Sequence, residues 1–516
     1  MGHLSLMNIT VVSAILVLCY SWFKRIQGGC RNPAKAARPP GPKPLPFIGN
    51  LLDVPKGDEA GTFAKWALKY GPVVYLEVLG RPLVILNSTD AISDLLDKRS
   101  QNYSDRTHLP MLHDLLDLGW FLPQAHYGEF WRRQRRLFHR ALRPTALERY
   151  DGLQYEETSA ILKRLLETPE DFRAHIRYSV QSKILRIAYG YRTEGPHDSL
   201  IAMEEEVWAP QLTRQRLKFS SGLSLVVVKY LPEWVPGAKF QRQAREWRGM
   251  LRSLRDAPFL EVKRQMINGT APHSFVSTLL EENNEEHDPT ESDEDIKASA
   301  AAVYGAGSDT TFASLYTFIL AMLLHPAAQK RAQAELDRVI GDGRLPTIED
   351  RPRLPYIEAT LKELMRWEPV APIGVPHMVS QDDVYDGYFL PAGSTVFGNT
   401  WTILHDEKLF PNSHIFDPQR FIGADGEVCV GPLDPTAFAF GYGRRICPGR
   451  HLADVSLWIT ISSILTVFDI TPSIDENGHT IEVTPQFVSG VIRSPKPFKC
   501  TIKPRSERAR QLILDS

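Results

Sequence analysis

The sequence predicts one large, mainly α-helical domain with small β-sheets, carried behind an N-terminal transmembrane anchor. Three observations support this. Residues 4–23 carry no charge, most of the remaining chain has helical periodicity broken by short alternating runs, and the body has no internal repeat or linker. A length of 516 residues would permit several domains, but nothing after residue 51 divides the chain. The expected organisation is an anchor at 1–23, a basic and proline-rich connector at 24–50, and a single domain at 51–516.

The run LSLMNITVVSAILVLCYSWF (4–23), wound as a helix, is ~30 Å long, about one bilayer core. Tyr20 and Trp22 lie near its end, where amphipathic rings favour the interface. Lys24, Arg25, Arg31, Lys35 and Arg38 follow, with no acidic residue before Asp53. The positive-inside tendency keeps this flank cytosolic and sends Met1 to the lumen. A cleaved secretory peptide fits less well, because no small-x-small site precedes the basic cluster. Five prolines in RPPGPKPLPFIGN (38–50) favour stiff, extended backbone.

A net charge of −1 offers no global attraction to nucleic acid. The five cysteines are odd in number and show no CxxC or zinc-finger spacing. Neither a disulfide framework nor a structural zinc site is expected, which suits a body in a reducing compartment.

Within the body, VVYLEVLG and RPLVILNS (73–88) have the alternation of a hairpin. Helical patterns follow at 89–98, 128–143 and 146–168, and then through about residue 255. The acidic run EENNEEHDPTESDED (281–295) reads as a solvated loop or helix lead-in. Residues 299–324, SAAAVYGAGSDTTFASLYTFILAMLL, are apolar almost all round yet contain Asp309 and lack basic flanks. A helix of that kind belongs in the core of a large domain. Amphipathic helices are expected at 326–341 and 355–367, a proline-rich mixed region at 369–440, then one more helix and a C-terminal strand segment.

The stretch FGYGRRICPG (440–449) raises the question of chemistry. Pro448 suits a first helical position, which would put Cys447 at the N-cap, where free N–H groups stabilise a thiolate. Gly441, Gly443 and Gly449 permit positive φ and let something flat approach the backbone. Arg445 adds a cation two residues away. Such a loop suits a single metal ligand.

These residues resemble the haem-binding signature FxxGxRxCxG of the cytochrome P-450 monooxygenases, with Phe440, Gly443, Arg445, Cys447 and Gly449 in place. The resemblance extends over about residues 38–503 and implies the cytochrome P-450 fold. It also implies haem b with Cys447 as axial thiolate. AGSDTT (306–311) resembles the family's acid–alcohol pattern, which implies that Asp309 and Thr310 relay protons during oxygen activation; Gly305 and Gly307 are expected to open a notch beside them. ELMR (363–366) with FDPQRF (416–421) resembles the ExxR and PxRF segments, so that Glu363, Arg366 and Arg420 are expected to form a buried structural trio. Gln419 stands where many members have Glu. WRRQR (131–135) matches WxxxR, which points to Trp131 and Arg135 as haem-propionate partners. Arg445 and His377 fit the same role, and Arg106 is a further candidate.

The surplus arginines of the 131–143 segment (132, 133, 136, 140 and 143) suggest a docking face for an acidic flavin domain. The resemblance implies electrons from NADPH through NADPH-cytochrome P-450 reductase, with cytochrome b5 as a further donor. It implies an endoplasmic reticulum membrane protein with a cytosolic catalytic domain. Substrate contacts are expected from 109–123 (with Trp120 and Phe121), 208–235, the helix face near Tyr304, 370–375 and 487–491. These segments are mainly apolar, so a lipophilic small molecule is expected, and the resemblance to fungal secondary-metabolism members suggests a terpenoid or aromatic compound. The competing readings are a haem-thiolate isomerase or peroxygenase that needs no reductase, and a non-catalytic haem-binding membrane protein. The intact Asp309-Thr310 pair argues against both.

Overall fold

The computed structural model describes residue 32 and residues 35–208, 240–286, 292–431 and 434–516. The anchor at 1–23, the first part of the connector and almost all of 208–235 lie outside the described residues. In chain order the elements are α1 (Glu59–Tyr70), β1 (Val73–Val78), β2 (Arg81–Leu86), α2 (Glu129–Leu142), α3 (Asp151–Glu167), α4 (Phe172–Tyr189) and α5 (Ser199–Trp208). Then come α6 (Phe240–Ile267), α7 (Phe275–Glu286), α8 (Asp293–Leu324), α9 (Pro326–Val339) and α10 (Pro355–Trp367). Short strands β3 (His377–Met378), β4 (Asp383–Tyr385), β5 (Tyr388–Leu390) and β6 (Thr395–Gly398) precede α11 (Arg450–Val467). The chain finishes with β7 (Phe468–Thr471), β8 (Phe487–Val488), β9 (Ser494–Pro495), β10 (Thr501–Pro504) and α12 (Glu507–Asp515). The expected C-terminal strands are present, but α12 was not anticipated; Ser506 caps it by accepting from the Ala509 N–H.

The predicted hairpin forms, with Val78 paired to Arg81 and a two-residue loop, Leu79 and Gly80, both at positive φ. That loop matches the right-handed twist of the strands. Alternate residues of the hairpin enter two different apolar clusters. Val74, Leu76 and Ile85 pack on one face, and Val73, Tyr75, Val84 and Leu86 on the other. β6 joins β2 in parallel, Leu83 against Thr395, and β3 adds antiparallel to β6. This sheet ties the start of the body to the region just before the Cys447 loop.

Helix α8 runs through the middle of the helical layers, against α4, α2, α6, α7 and α11. Among the described residues it is the one helix long and apolar enough to cross a membrane, yet 72% of its most apolar window is buried inside the protein. It is a core helix, as its sequence predicts. A capping box starts it: Ser292 Oγ accepts from the Asp295 N–H, and the Asp295 carboxylate accepts from the Ser292 N–H. The acidic run before it is therefore not simply a solvated loop. Residues 281–286 finish α7, and Asp293–Asp295 form the first turn of α8, where acidic groups complement the helix dipole.

The ExxR expectation holds in full. Glu363 and Arg366 are completely buried and joined by two bonds, Arg366 Nε to Oε2 at 2.7 Å and Nη2 to Oε1 at 2.8 Å. Arg420 Nε and the Asp417 N–H both donate to Glu363 Oε1, at 3.1 and 2.8 Å. Arg366 also donates to the carbonyls of Leu404 and Ile415, so α10 is pinned to the segment leading to the Cys447 loop. Gln419 is not a vacancy in this network, since its Oε1 accepts from Arg331 at 2.5 Å. Removing one partner of a buried pair strands the other charge, so Glu363→Gln should destabilise the domain by about 3–5 kcal/mol. Chemical denaturation measures this, and a loss below about 1 kcal/mol would place the trio at the level of a surface pair.

Candidate functional site

The Cys447 loop is a closed backbone structure. The Cys447 N–H donates to Phe440 O at 2.8 Å, and a single 3₁₀ turn, Gly443–Arg445, lies between them. Gly441 (φ 80) and Gly443 (φ 52) adopt the left-handed conformations expected. A Cβ on Gly443 would stand 2.1 Å from Leu96 O, so both space and φ demand glycine there. Gly449 differs from the expectation. Its φ is −89, and a Cβ there would meet only Cys447 Sγ, at 4.0 Å.

Helix α11 begins at Arg450 with Gly449 as N-cap, which places Cys447 two residues before the cap. The predicted N-cap cysteine is thus corrected: Pro448 and Gly449 form a turn, so the thiol receives one N–H, from Gly449, and no more of the helix end. Burial pushes the Cys447 thiol above its ordinary range, opposed by that N–H and by the charges of Arg135 and Arg450. Burial disfavours the ionised sulfur, and the charge of a bound metal ion would favour it.

Around the loop the structure gathers the expected cations. Arg135, at the i+4 position from Trp131 on α2, donates to Ile446 O at 2.6 Å. Arg445 reaches the carbonyls of Ser104, Leu122 and Ala125, and its guanidinium lies 4.7 Å from the Trp131 ring centroid. Arg106 donates to Pro123 O, Val375 O and Pro376 O. His377 is buried, and its Nδ1 donates to Tyr103 O at 2.7 Å. None of these four forms an ion pair with a carboxylate among the described residues.

Their charged forms are correspondingly disfavoured. Arg106 lies well below the usual guanidinium range through burial and then the charge of Arg445. Burial also brings Arg445 down, to about 10, with Arg135 adding repulsion, and lowers Arg135. His377 falls well below its usual range by burial and the neighbouring Arg106. Main-chain carbonyls and the Trp131 ring are their direct partners, and the Asp105 carboxylate favours the charge on Arg106 and Arg445 without an ion pair, so the cluster keeps an excess of positive charge that suits an anion.

On α8, Asp309 and Thr310 are adjacent but do not bond to each other. Thr310 Oγ donates to Ala306 O at 2.8 Å. Asp309 Oδ1 accepts from Arg177 Nη1 of α4 at 3.0 Å. A helix turns 100° per residue, which sends the two side chains to different sides. Gly307 does not open the expected notch, since a Cβ there would meet the Ile184 side chain of α4 at 3.3 Å. It is a packing glycine in an unbroken helix. Tyr304 is buried with its hydroxyl donating to Leu200 O of α5, so it helps to hold α5 on α8.

A family model for Cytochrome P450 matches residues 39–502. The chain belongs to the cytochrome P450 family. It is 39% identical to cytochrome P450 monooxygenase claT of Ampulloclitocybe clavipes, over 98% of this chain and 97% of that protein. It is 40% identical to cytochrome P450 monooxygenase ARMGADRAFT_974139 of Armillaria gallica, over 98% of both chains. Against cytochrome P450 monooxygenase 176 of Postia placenta it is 38% identical over 93% of this chain and 92% of that one. The protein is accordingly a P450 monooxygenase, and the family implies a haem-thiolate centre.

The residues present fit such a group. A macrocycle with two carboxylates supplies the anions that Arg106, Arg135, Arg445 and His377 lack, and its iron supplies the charge that a Cys447 thiolate needs. Sequence reasoning ranked Arg106 as only a further candidate, but the charge of Arg445 acts on it and its own charge acts on His377. It missed Arg177 altogether, because no local motif links a residue on α4 to Asp309, 132 positions away.

The basic segment is also redistributed. Arg133 pairs with the buried Asp295 at 3.0 Å and Arg140 with Glu282 at 2.8 Å, so these two hold α8 and α7 in place. Arg132, Arg136 and Arg143 are exposed, and so is Arg444, which donates to Tyr127 Oη.

The two loop glycines should behave differently. Gly443→Ala should lose at least ~1–3 kcal/mol in thermal unfolding, the usual range for forced positive φ. Gly449→Ala should lose less than ~1 kcal/mol. Equal losses would show that the contact with Leu96 O does not govern the loop.

Proposed function

We propose that this chain is a membrane-anchored haem-thiolate monooxygenase that inserts one atom of O2 into a C–H or C=C bond of a lipophilic small molecule. Residues 1–23 span the endoplasmic reticulum membrane once, 24–50 form the connector, and the domain at 51–516 faces the cytosol. Cys447 provides the axial thiolate. Arg106, Arg135, Arg445 and His377 hold the two propionates, Trp131 keeps the Arg135 and Arg445 guanidiniums in place, and Phe440, Gly443 and Gly449 shape the loop. When bound, haem supplies the oxidising chemistry, helped by the electron density that a thiolate pushes onto iron.

The protein's own part is to position the substrate and to meter protons. With its hydrogen committed to Ala306 O, Thr310 Oγ presents lone pairs that hold a water or another protonated group. Asp309, paired with Arg177 on the neighbouring side of α8, takes up and releases the proton. Electrons come from NADPH through NADPH-cytochrome P-450 reductase, with cytochrome b5 as a further donor. The docking face is the exposed set Arg132, Arg136, Arg143 and Arg444, which suits an acidic flavin domain. Apolar segments at 109–123, 370–375 and 487–491 favour a lipophilic substrate. The resemblance to fungal secondary-metabolism members points to a terpenoid or aromatic compound as substrate class.

One observation carries this reading: the buried Arg106 and His377 and the half-buried Arg135 and Arg445 stand around the half-buried Cys447, and none of the four forms an ion pair with a carboxylate among the described residues. Cys447→Ala should abolish the thiolate-type absorption of the reduced, CO-treated protein together with NADPH-supported turnover; survival of that absorption would end the assignment. Reversing Arg132 and Arg136 to Glu should slow reduction by the reductase roughly 10-fold or more at low salt, with the deficit shrinking as salt rises. A salt-independent rate equal to that of the wild type would move the docking face elsewhere.

A further inference from the structure

Behind Asp309 lies a second carboxyl group that the mechanism above does not use. Glu204 of α5 is completely buried. Its Oε2 accepts from Gln181 Nε2 of α4 at 2.6 Å. The two remaining oxygens of this pair, Glu204 Oε1 and Gln181 Oε1, are both buried and have no hydrogen-bond partner among the described residues. Two acceptors facing one donor make an unbalanced set. An ionised Glu204 would leave both oxygens unsatisfied and would bury an anion with no cation bonded to it. A single proton on Oε1 cures both defects: Oε1–H donates to Gln181 Oε1 while Gln181 Nε2 donates to Oε2, closing a ring of two parallel hydrogen bonds.

The surroundings agree. Asp309 and Tyr304 face Glu204 from α8, Arg177 and Gln181 from α4, and Glu205 adjoins it on α5. Burial raises the Glu204 carboxyl above its ordinary range and the negative charge of Asp309 raises it further, against weaker pulls from Gln181 and Arg177. Arg177 is the cation within reach of these acids. It bonds to Asp309 Oδ1 at 3.0 Å, and its Nε lies 4.0 Å from the half-exposed Glu205. A charge on Glu204 would compete for Arg177 and drive Asp309 to take up a proton.

We propose that Glu204 is kept as a neutral carboxylic acid in a two-hydrogen-bond ring with the Gln181 carboxamide, and that this pair is a positioning device which reserves Arg177 for Asp309. Glu204 acts only through Asp309 and touches no reacting atom. The consequence for turnover rests on the reading of Asp309 proposed above; the protonation state of Glu204 does not. The pH sign follows from the raised carboxyl. The folded chain holds this proton more tightly than the unfolded chain does. Stability contributed by Glu204 is therefore complete at acid pH and lost as pH rises from the ordinary carboxylate range through the raised value.

Infrared difference spectroscopy of the full-length holoenzyme against E204Q tests the protonation directly. At pH 7 the wild type should show a carboxylic-acid C=O band that shifts in D2O and is lost in E204Q; no lost band overturns the proposal. Thermal unfolding should show the wild type losing stability on the alkaline side, with E204Q flat over the same limb, and parallel losses overturn it. Because an amide matches the neutral acid in shape and bonding, failure of E204Q to fold also counts against it. Peroxide release per NADPH with recombinant reductase and no added substrate reads the link to Asp309. The wild type should change along the alkaline limb and E204Q should not; identical profiles overturn the link. Asp309→Asn separates the two claims, because unchanged peroxide release in that variant removes Asp309 from proton handling while the infrared result for Glu204 stands.

Discussion

Burying like charges is expensive, and this domain buries several in one place. Arg106, Arg135 and Arg445 come from three separate parts of the chain and converge on the Cys447 loop, each bonded to main-chain carbonyls, with the Trp131 ring beside Arg135 and Arg445. Those carbonyls are fixed because Cys447 N–H closes on Phe440 O, because Gly443 slips under Leu96 O, and because the sheet brings the 377–398 strands beside the hairpin. The cations are thus held in place by the fold itself, and a dianionic cofactor bound beside them would offset what folding spent on their desolvation.

The same economy recurs on the other side of α8. The half-buried Asp309 and Arg177 and the buried Glu204 form a small set with more acids than bases, in which one neutral carboxyl is the cheapest way to balance charge. Asp309 therefore does not stand alone as a motif residue. Its direct partner, Arg177, comes from α4, and Glu204 behind it comes from α5. The basic residues of α2 divide in a similar way: Arg133 and Arg140 fasten helices, while Arg132 and Arg136 are exposed and pair with Glu129 on the same helix.

Much of this was legible where chemistry and backbone coincide in a few residues. The glycines at 441 and 443, the i, i+3 pair Glu363 and Arg366, and the uniformly apolar α8 each announce their conformation or location by local spacing. The misreadings have physical causes. Cys447 was placed at the N-cap because Pro448 suits a first turn, but the turn at 448–449 delays the helix to Arg450. Gly307 was taken for a notch, whereas the side chain of Ile184 on α4 fills that space. The acidic run at 281–295 was read as a solvated loop or helix lead-in; its end does lead into α8, while 281–286 belong to α7, whose end absorbs polar residues readily.

By itself the sequence determined the helical class, the core helix, the hairpin, the buried Glu363 trio and the Cys447 signature, since each is encoded by residues within one turn, one strand pair or one short motif. Tertiary structure alone decided which arginines are spent internally, that Arg106 joins the cation cluster, and that Arg177 and Glu204 stand behind Asp309. These are pairings between helices far apart in the chain, and burial, which sets their charge and strength, exists only once the helices have packed.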